Sequence, residues 1–184
     1  RTQHYGELRI PAEIRYIQHT KDSGREIEPL VLSEIAAEVI DNMTPEVTYF
    51  IGPGSTTREI MSSLMLENTL LGVDVVRDNC LVAADATESE LFEVTRSGPA
   101  KIVVTIIAGQ GHLFGRGNQQ FSSRVIRAVG IENIIVVSTK SKLKTLGNRP
   151  LIVDTGNVEL DETLCGMMQV ITGYEDAVFV RVVA

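Results

Sequence analysis

The chain has 184 residues, 43% of them hydrophobic and 22% charged, with a formal net charge of −7. This length and balance fit one folded domain, or one domain with a small appendage, and argue against disorder. The acidic balance disfavours broad binding to nucleic acid or anionic membrane, and no apolar run approaches the ~18 residues of a membrane-spanning helix.

Residues 1–17 place Tyr5, Leu8, Ile10, Ile14, Tyr16 and Ile17 among polar neighbours, which predicts two short strands broken near Pro11. Residues 18–28 are polar around Gly24 and read as a linker. The segment 1–28 is therefore expected to be continuous with a domain upstream, since the chain opens at Arg1 on residues that already read as structure. Residues 29–184 are expected to form the α/β ligand-binding domain. Its first element is a helix over PLVLSEIAAEVIDNM, with Val31, Ile35, Val39 and Met43 at a spacing of four and Pro45 marking its end.

A repeated theme of strand, capped turn and helix follows. TYFI (48–51) leads through Gly-Pro-Gly to a helix from Thr57 to Leu66, and TLLGVDVV (69–76) is a second strand. Thr87 and Glu90 form a capping box for a helix over 88–96. KIVVTII (101–107) is a third strand; Ser122 or Ser123 caps a helix that stops at Gly130. NIIVVS (133–138) is a fourth, followed by a basic helix capped by Thr139 and ending at Gly147. PLIVD (150–154) is a fifth, and a short helix runs from Leu160 to Met167. QVIT (169–172) and AVFVRVV (177–183), joined by GYED, predict a closing antiparallel pair. KIVVTII, NIIVVS and PLIVD are apolar throughout rather than alternating, as strands buried on both faces are. The expected fold is α/β: a mostly parallel sheet flanked by helices, with a small N-terminal β segment and the closing pair.

In such sheets ligands gather at the carboxyl ends of strands. Behind TYFI stand Gly52, Gly54, Ser55, Thr56 and Thr57. Here two glycines allow a sharp turn, and hydroxyls with free amides stand at a helix start, where Arg58 could add charge. Thr56 and Glu59 fit a capping box. No Gly-Lys-Ser/Thr follows, so this is not a Walker loop. Behind KIVVTII comes Gly109-Gln110-Gly111-His112-Leu113-Phe114-Gly115-Arg116-Gly117-Asn118-Gln119-Gln120. Four glycines in nine residues do not serve helix or strand stability, and Arg116 between two of them can reach a phosphate or carboxylate. Both loops are candidate binding elements for a phosphate-bearing small molecule.

Two aspartates are candidates for chemistry. Asp74 interrupts an apolar strand, where a bare carboxylate needs a partner, and Asp154 ends another; either could hold a metal ion or act as a base. Asp85, just before a capping box, reads as a turn residue. A lone His112 in a loop is more often incidental than catalytic. Lys140, Lys142 and Lys144 read as a solvated face that could also guide an anion. Cys80 and Cys165, 85 positions apart with no metal-like spacing, point to a reduced, cytoplasmic protein.

From Tyr49 to Val180 the blocks IGPGSTTREIM, TLLGVDVV, KIVVTIIAGQGHLFGRGNQQFSSRVIRAVG, NIIVVSTKSKLKTLGNRPLIVDTG and VITGYEDAVFVRV occur in order. Together they resemble the C-terminal half of the ATP-NAD kinase family, an AcoX-related branch of the NAD kinase superfamily; GQGHLFGRGNQQ is the most specific block. The resemblance implies phosphoryl transfer from ATP or polyphosphate to the ribose 2′-hydroxyl of NAD with Mg²⁺. The superfamily's Gly-Gly-Asp-Gly motif, which belongs to its N-terminal domain, occurs nowhere in this sequence. The chain alone is therefore expected to bind rather than catalyse. The superfamily's kinases proper have a β-rich C-terminal domain, whereas the pattern here alternates strand and helix. Two further readings remain: a sugar-phosphate isomerase or hydrolase with Asp74 or His112 as base, and a non-catalytic phosphate-ligand-sensing module. Homo-oligomerisation is compatible with each.

Overall fold

The computed structural model describes residues 27–184, so the strands and linker expected before that lie outside the described residues. The elements in chain order are α1 (Ile27–Asp41), β1 (Thr48–Ile51), α2 (Ser55–Ser63), β2 (Asp74–Arg77), β3 (Cys80–Ala83), α3 (Glu88–Thr95), β4 (Ala100–Thr105) and β5 (His112–Phe114). They continue with α4 (Ser123–Val129), β6 (Ile134–Val137), α5 (Lys140–Lys144), β7 (Leu151–Val153), α6 (Val158–Leu164), β8 (Gly166–Gly173) and β9 (Asp176–Val183).

The strands make one nine-stranded sheet in the order β3-β2-β1-β4-β6-β8-β9-β7-β5. The neighbours β1–β4, β4–β6, β6–β8, β9–β7 and β7–β5 are parallel; β1–β2, β2–β3 and β8–β9 are antiparallel. This is the expected mostly parallel α/β sheet, and the antiparallel C-terminal pair is present as β8–β9. That pair lies within the sheet rather than at its edge, because β9 also takes β7 as a parallel neighbour. The far-edge strand β5 also returns to the chain just past β4, where the Ile107 amide donates to the His112 carbonyl at 3.1 Å.

Helices cover both faces, as the apolar strands require. On β1, Tyr49 and Ile51 join Ile35, Val39, Ile60 and Met61 of α1 and α2, while Phe50 points the other way, into the cluster holding Leu91 of α3 and Val125 and Ile126 of α4. On β4, Val103 faces the α1–α2 side and Ile102 and Val104 the α3–α4 side. A fully buried side chain of this size contributes roughly 1.5–3 kcal/mol, so the two faces of these central strands dominate the packing.

Five expectations change. The short helix expected from Leu160 to Met167 is Val158–Leu164, and Met167 lies in β8. The strand expected over 69–76 is only Asp74–Arg77, and it runs antiparallel to β1. It is followed directly by β3 through a two-residue turn, with Asp78 and Asn79 at φ of 50° and 60°. That is the backbone of a tight hairpin, so the repeating strand–helix theme is broken there. The Gly-rich segment after β4 holds a three-residue strand, β5, held in register by β7. The Thr56–Glu59 capping box does not form: α2 begins at Ser55, its N-cap is Gly54, and no side chain caps it. The caps at Thr87 (with Glu90), Ser122 and Thr139 do form.

Candidate functional site

Because β1, β4 and β6 are parallel neighbours, their carboxyl ends lie on one side of the sheet, and the loops that leave them meet there. The chain leaves β1 through Gly52, whose amide donates to the Val103 carbonyl at 2.9 Å and keeps the loop close to β4. Gly54 then turns at φ 138°, and a Cβ placed there would lie 2.3 Å from Thr105 Cγ2. A side chain at this point would strike the end of β4, so glycine is what lets α2 start against that strand.

The two glycine loops share one hollow of about 320 Å³. It is lined by Pro53, Gly54, Ser55 and Arg58 from the first loop and α2, and by Arg116, Gly117 and Asn118 from the second. Thr105, Ile107, Leu70 and Leu71 complete it. The first-turn amides of α2 have no intrahelical acceptor and no side-chain cap, so they offer donors and a positive helix end to this space. Two guanidinium groups, Arg58 and Arg116, stand on its walls, and Arg116 Nη1 contacts Gln110 Oε1 at 3.3 Å.

Two buried oxygens at the hollow lack partners. Thr105 and Asn118 are 7% and 6% exposed, and neither Thr105 Oγ1 nor Asn118 Oδ1 is hydrogen-bonded. Asn118 Nδ2 donates to the Leu113 carbonyl at 2.8 Å, which fixes the amide with its oxygen left over. A buried polar atom without a partner costs about 1–3 kcal/mol. Both oxygens belong to residues lining the hollow.

The other candidates fall in different places. Gly52 lies beneath the loop, against Phe121 and Val103, and does not line the hollow. Thr56 and Thr57 are fully buried, with Thr57 Oγ1 donating to the Gly54 carbonyl at 3.0 Å. Gly109 and Gly111 face the segment between α5 and β7 instead. The Gly109 amide donates to Thr145 Oγ1 and its carbonyl accepts from Arg149, while Gly111 packs near Leu146 and Pro150. Gln110 reaches the site only through Arg116, and Gln119 and Gln120 do not line it.

Neither aspartate lines the hollow. Asp74 is 1% exposed, and its carboxylate accepts the amides of Thr69 at 2.6 Å and Asp85 at 3.0 Å. These bonds are the partnering that a buried carboxylate needs, and they tie the 69–73 and 84–86 segments to β2. Asp154 is exposed at the end of β7, beside Gly115, where any Cβ would meet its carbonyl at 1.8 Å. His112 lies on β5 with Nδ1 buried and unpartnered, and it is not among the residues that line the hollow.

One residue read as solvated is not. Lys142 on α5 donates from Nζ to Ser55 Oγ and Thr56 Oγ1, each at 2.9 Å, at the start of α2. Burial pushes its ammonium below the ordinary lysine value, the carboxylate of Glu28 partly opposing this. The signal was hard to find, because Lys-Ser-Lys-Leu-Lys reads as a polar face; only the β1–β4–β6 adjacency brings α5 beside α2. Thr105, Leu70 and Leu71 were missed for the same reason, as nothing local marks them.

Among the described residues, no group of three or more His, Cys, Asp or Glu side chains is placed to hold a metal ion. No described helix is long and apolar enough to cross a membrane. The family described as the ATP-NAD kinase C-terminal domain matches residues 44–182. No curated protein and no solved structure is significantly similar to the chain.

Proposed function

The chain belongs to the ATP-NAD kinase C-terminal domain family, and from that premise we propose that it is the nucleotide-binding part of an NAD kinase-like enzyme and receives NAD in the hollow between its two glycine loops. The observation that supports this most is the convergence itself: the loops that follow β1 and β4 close on one space through Gly54, Arg116, Gly117 and Asn118. Its lining combines anion donors and cations with two residues that carry unpartnered buried oxygens. A nucleotide has the matching chemistry: a phosphate for the α2 start and the arginines, and ribose hydroxyls or an amine for Thr105 and Asn118. The exposed apolar side chains of Leu70 and Leu71 offer surface to a ring.

The activity proposed for the whole enzyme is phosphoryl transfer from ATP or polyphosphate to NAD. Such chemistry depends chiefly on positioning and charge stabilisation, which is the part these residues can supply. The magnesium that the family implies finds no ligand set of three or more His, Cys, Asp or Glu side chains among the described residues. Asp74 is engaged by two backbone amides and Asp154 lies off the hollow, so this chain is assigned binding rather than proton transfer.

Calorimetric titration of the 184-residue chain with NAD, ATP and ribose 5-phosphate tests the proposal. Saturable NAD binding is expected, weakened about tenfold or more by Arg116→Ala, as removal of a charge-assisted contact would do. Binding of the sugar phosphate with neither nucleotide would overturn it in favour of a phosphosugar enzyme.

A further inference from the structure

We infer that Lys142 is a ligand of the bound anion: its ammonium, held by two hydroxyls at the start of α2, joins the α2 amides in receiving a phosphate group. The inference rests on the hollow being a ligand site and adds to it a residue from a third element, α5.

An ammonium at a helix N-terminus is in the wrong place for an unliganded protein. The helix end already carries positive partial charge, and cations are disfavoured there. Lys142 is nevertheless held against it by Ser55 Oγ and Thr56 Oγ1, both neutral. Its neighbour Lys140 is paired with Asp176, whereas the Glu28 carboxylate acts on Lys142 through its charge and only partly opposes the effect of burial. Its partial burial disfavours the charged form. A dianion at this point would reverse each of these costs. It would offset the charge of the ammonium, accept the free amides of the α2 first turn, and lie beside Arg58 on the same helix.

The helix end does not stand alone. α2 has nine residues, and the hollow it opens on contains Thr105 and Asn118, each more than nine-tenths buried with an unpartnered oxygen. Ser55 connects the two features, since it lines the hollow and accepts from Lys142. The ligand's polarity follows. Its phosphate lies at the Ser55–Lys142 end, and its hydrogen-donating part lies toward Asn118, whose remaining oxygen can only accept.

Inorganic pyrophosphate is the probe, titrated calorimetrically into the full chain and into Lys142→Met, Lys142→Arg and Arg116→Ala. Lys142→Met keeps the apolar stem and is expected to weaken pyrophosphate about tenfold or more, with Lys142→Arg recovering most of the loss. A purely structural lysine would not respond to the anion, so the unmodified chain is also labelled with ¹³C at lysine Cε. Pyrophosphate is expected to move the Lys142 resonance and raise its titration midpoint, a measurement that needs no variant to fold. An unmoved resonance, or unchanged affinity in Lys142→Met while Arg116→Ala binds weakly, overturns the role of Lys142 and leaves the hollow standing. Absence of both pyrophosphate and NAD binding in the unmodified chain overturns the two readings together.

Discussion

Gly54 shows how one missing side chain positions the site. Its φ of 138° is a conformation that other residues rarely adopt, and its Cβ position lies 2.3 Å from Thr105 Cγ2. Gly54→Ala therefore meets both backbone strain and a clash, and an expected loss of about 2 kcal/mol or more follows from the two effects. Gly109 is the control. It also has positive φ, 75°, but nothing lies within 4 Å of its Cβ position, so Gly109→Ala should cost only the conformational penalty of about 1–2 kcal/mol. Urea unfolding of both variants reads the difference, and equal losses would show that the Thr105 contact is unimportant. The turn itself was legible, since Gly-Pro-Gly follows an apolar run. Its partner was not, because Thr105 lies at the end of another strand and becomes adjacent only when β1 and β4 pair in parallel. Lys142 escaped for the same reason, whereas the two amides that engage Asp74, from Thr69 and Asp85, lie within 5 and 11 positions of it.

Pairs of elements repeat this division between local and distant signals. The caps of α3 and α4 can be read from a few consecutive residues: Thr87 accepts from the Glu90 amide, and Ser122 from the Val125 amide. What joins the two helices spans 36 positions. Glu88 accepts from Arg124 Nε at 2.7 Å and Nη2 at 2.6 Å and from the Ser122 hydroxyl, while the Arg124 guanidinium lies 4.4 Å from the Phe92 ring centre. Arg124, and then Ser122, lower the Glu88 carboxyl from its ordinary 4.5 to about 2. A lowered folded-state value means that the unfolded chain takes up the proton first as pH falls. The contribution to stability is complete above pH 4.5 and is lost progressively down to about pH 2. Glu88→Gln should therefore be less stable than the parent at pH 7 and approach it as the pH falls through that window, read from urea midpoints at successive pH values. A constant gap down to pH 2 would mean that packing, not charge, joins α3 to α4. β3 and β5 mark the opposite limit of local reading. Each is short, β3 alternates between exposed and half-buried positions, and β5 sits within glycines, so neither has the long apolar run that announced β4 and β6.

The whole molecule has two apolar clusters, one on each face of the sheet, and β4 belongs to both. Val103 is fully buried in the cluster with α1 and α2, while Val104, 1% exposed, lies in the one with α3 and α4. Adjacent residues on a strand point to opposite faces, so the same backbone hydrogen bonds hold both layers, and loosening either face frees the strand that the other needs. The described chain should therefore unfold as one cooperative unit despite its two cores. Val103→Ala and Val104→Ala each leave a small void and are expected to cost roughly 2 kcal/mol, or about 4–8 °C for a chain of this size. The informative result is the form of the transition. Both variants should shift one transition, with the calorimetric and van't Hoff enthalpies in agreement. If the two faces were independent, each substitution would move a separate transition and leave the other in place. The same coupling bears on the hollow, because Thr105 closes β4 one residue past Val104 and Gly52 is bonded to Val103. A void on either face is then expected to weaken the proposed NAD binding without any change in the residues that would touch it.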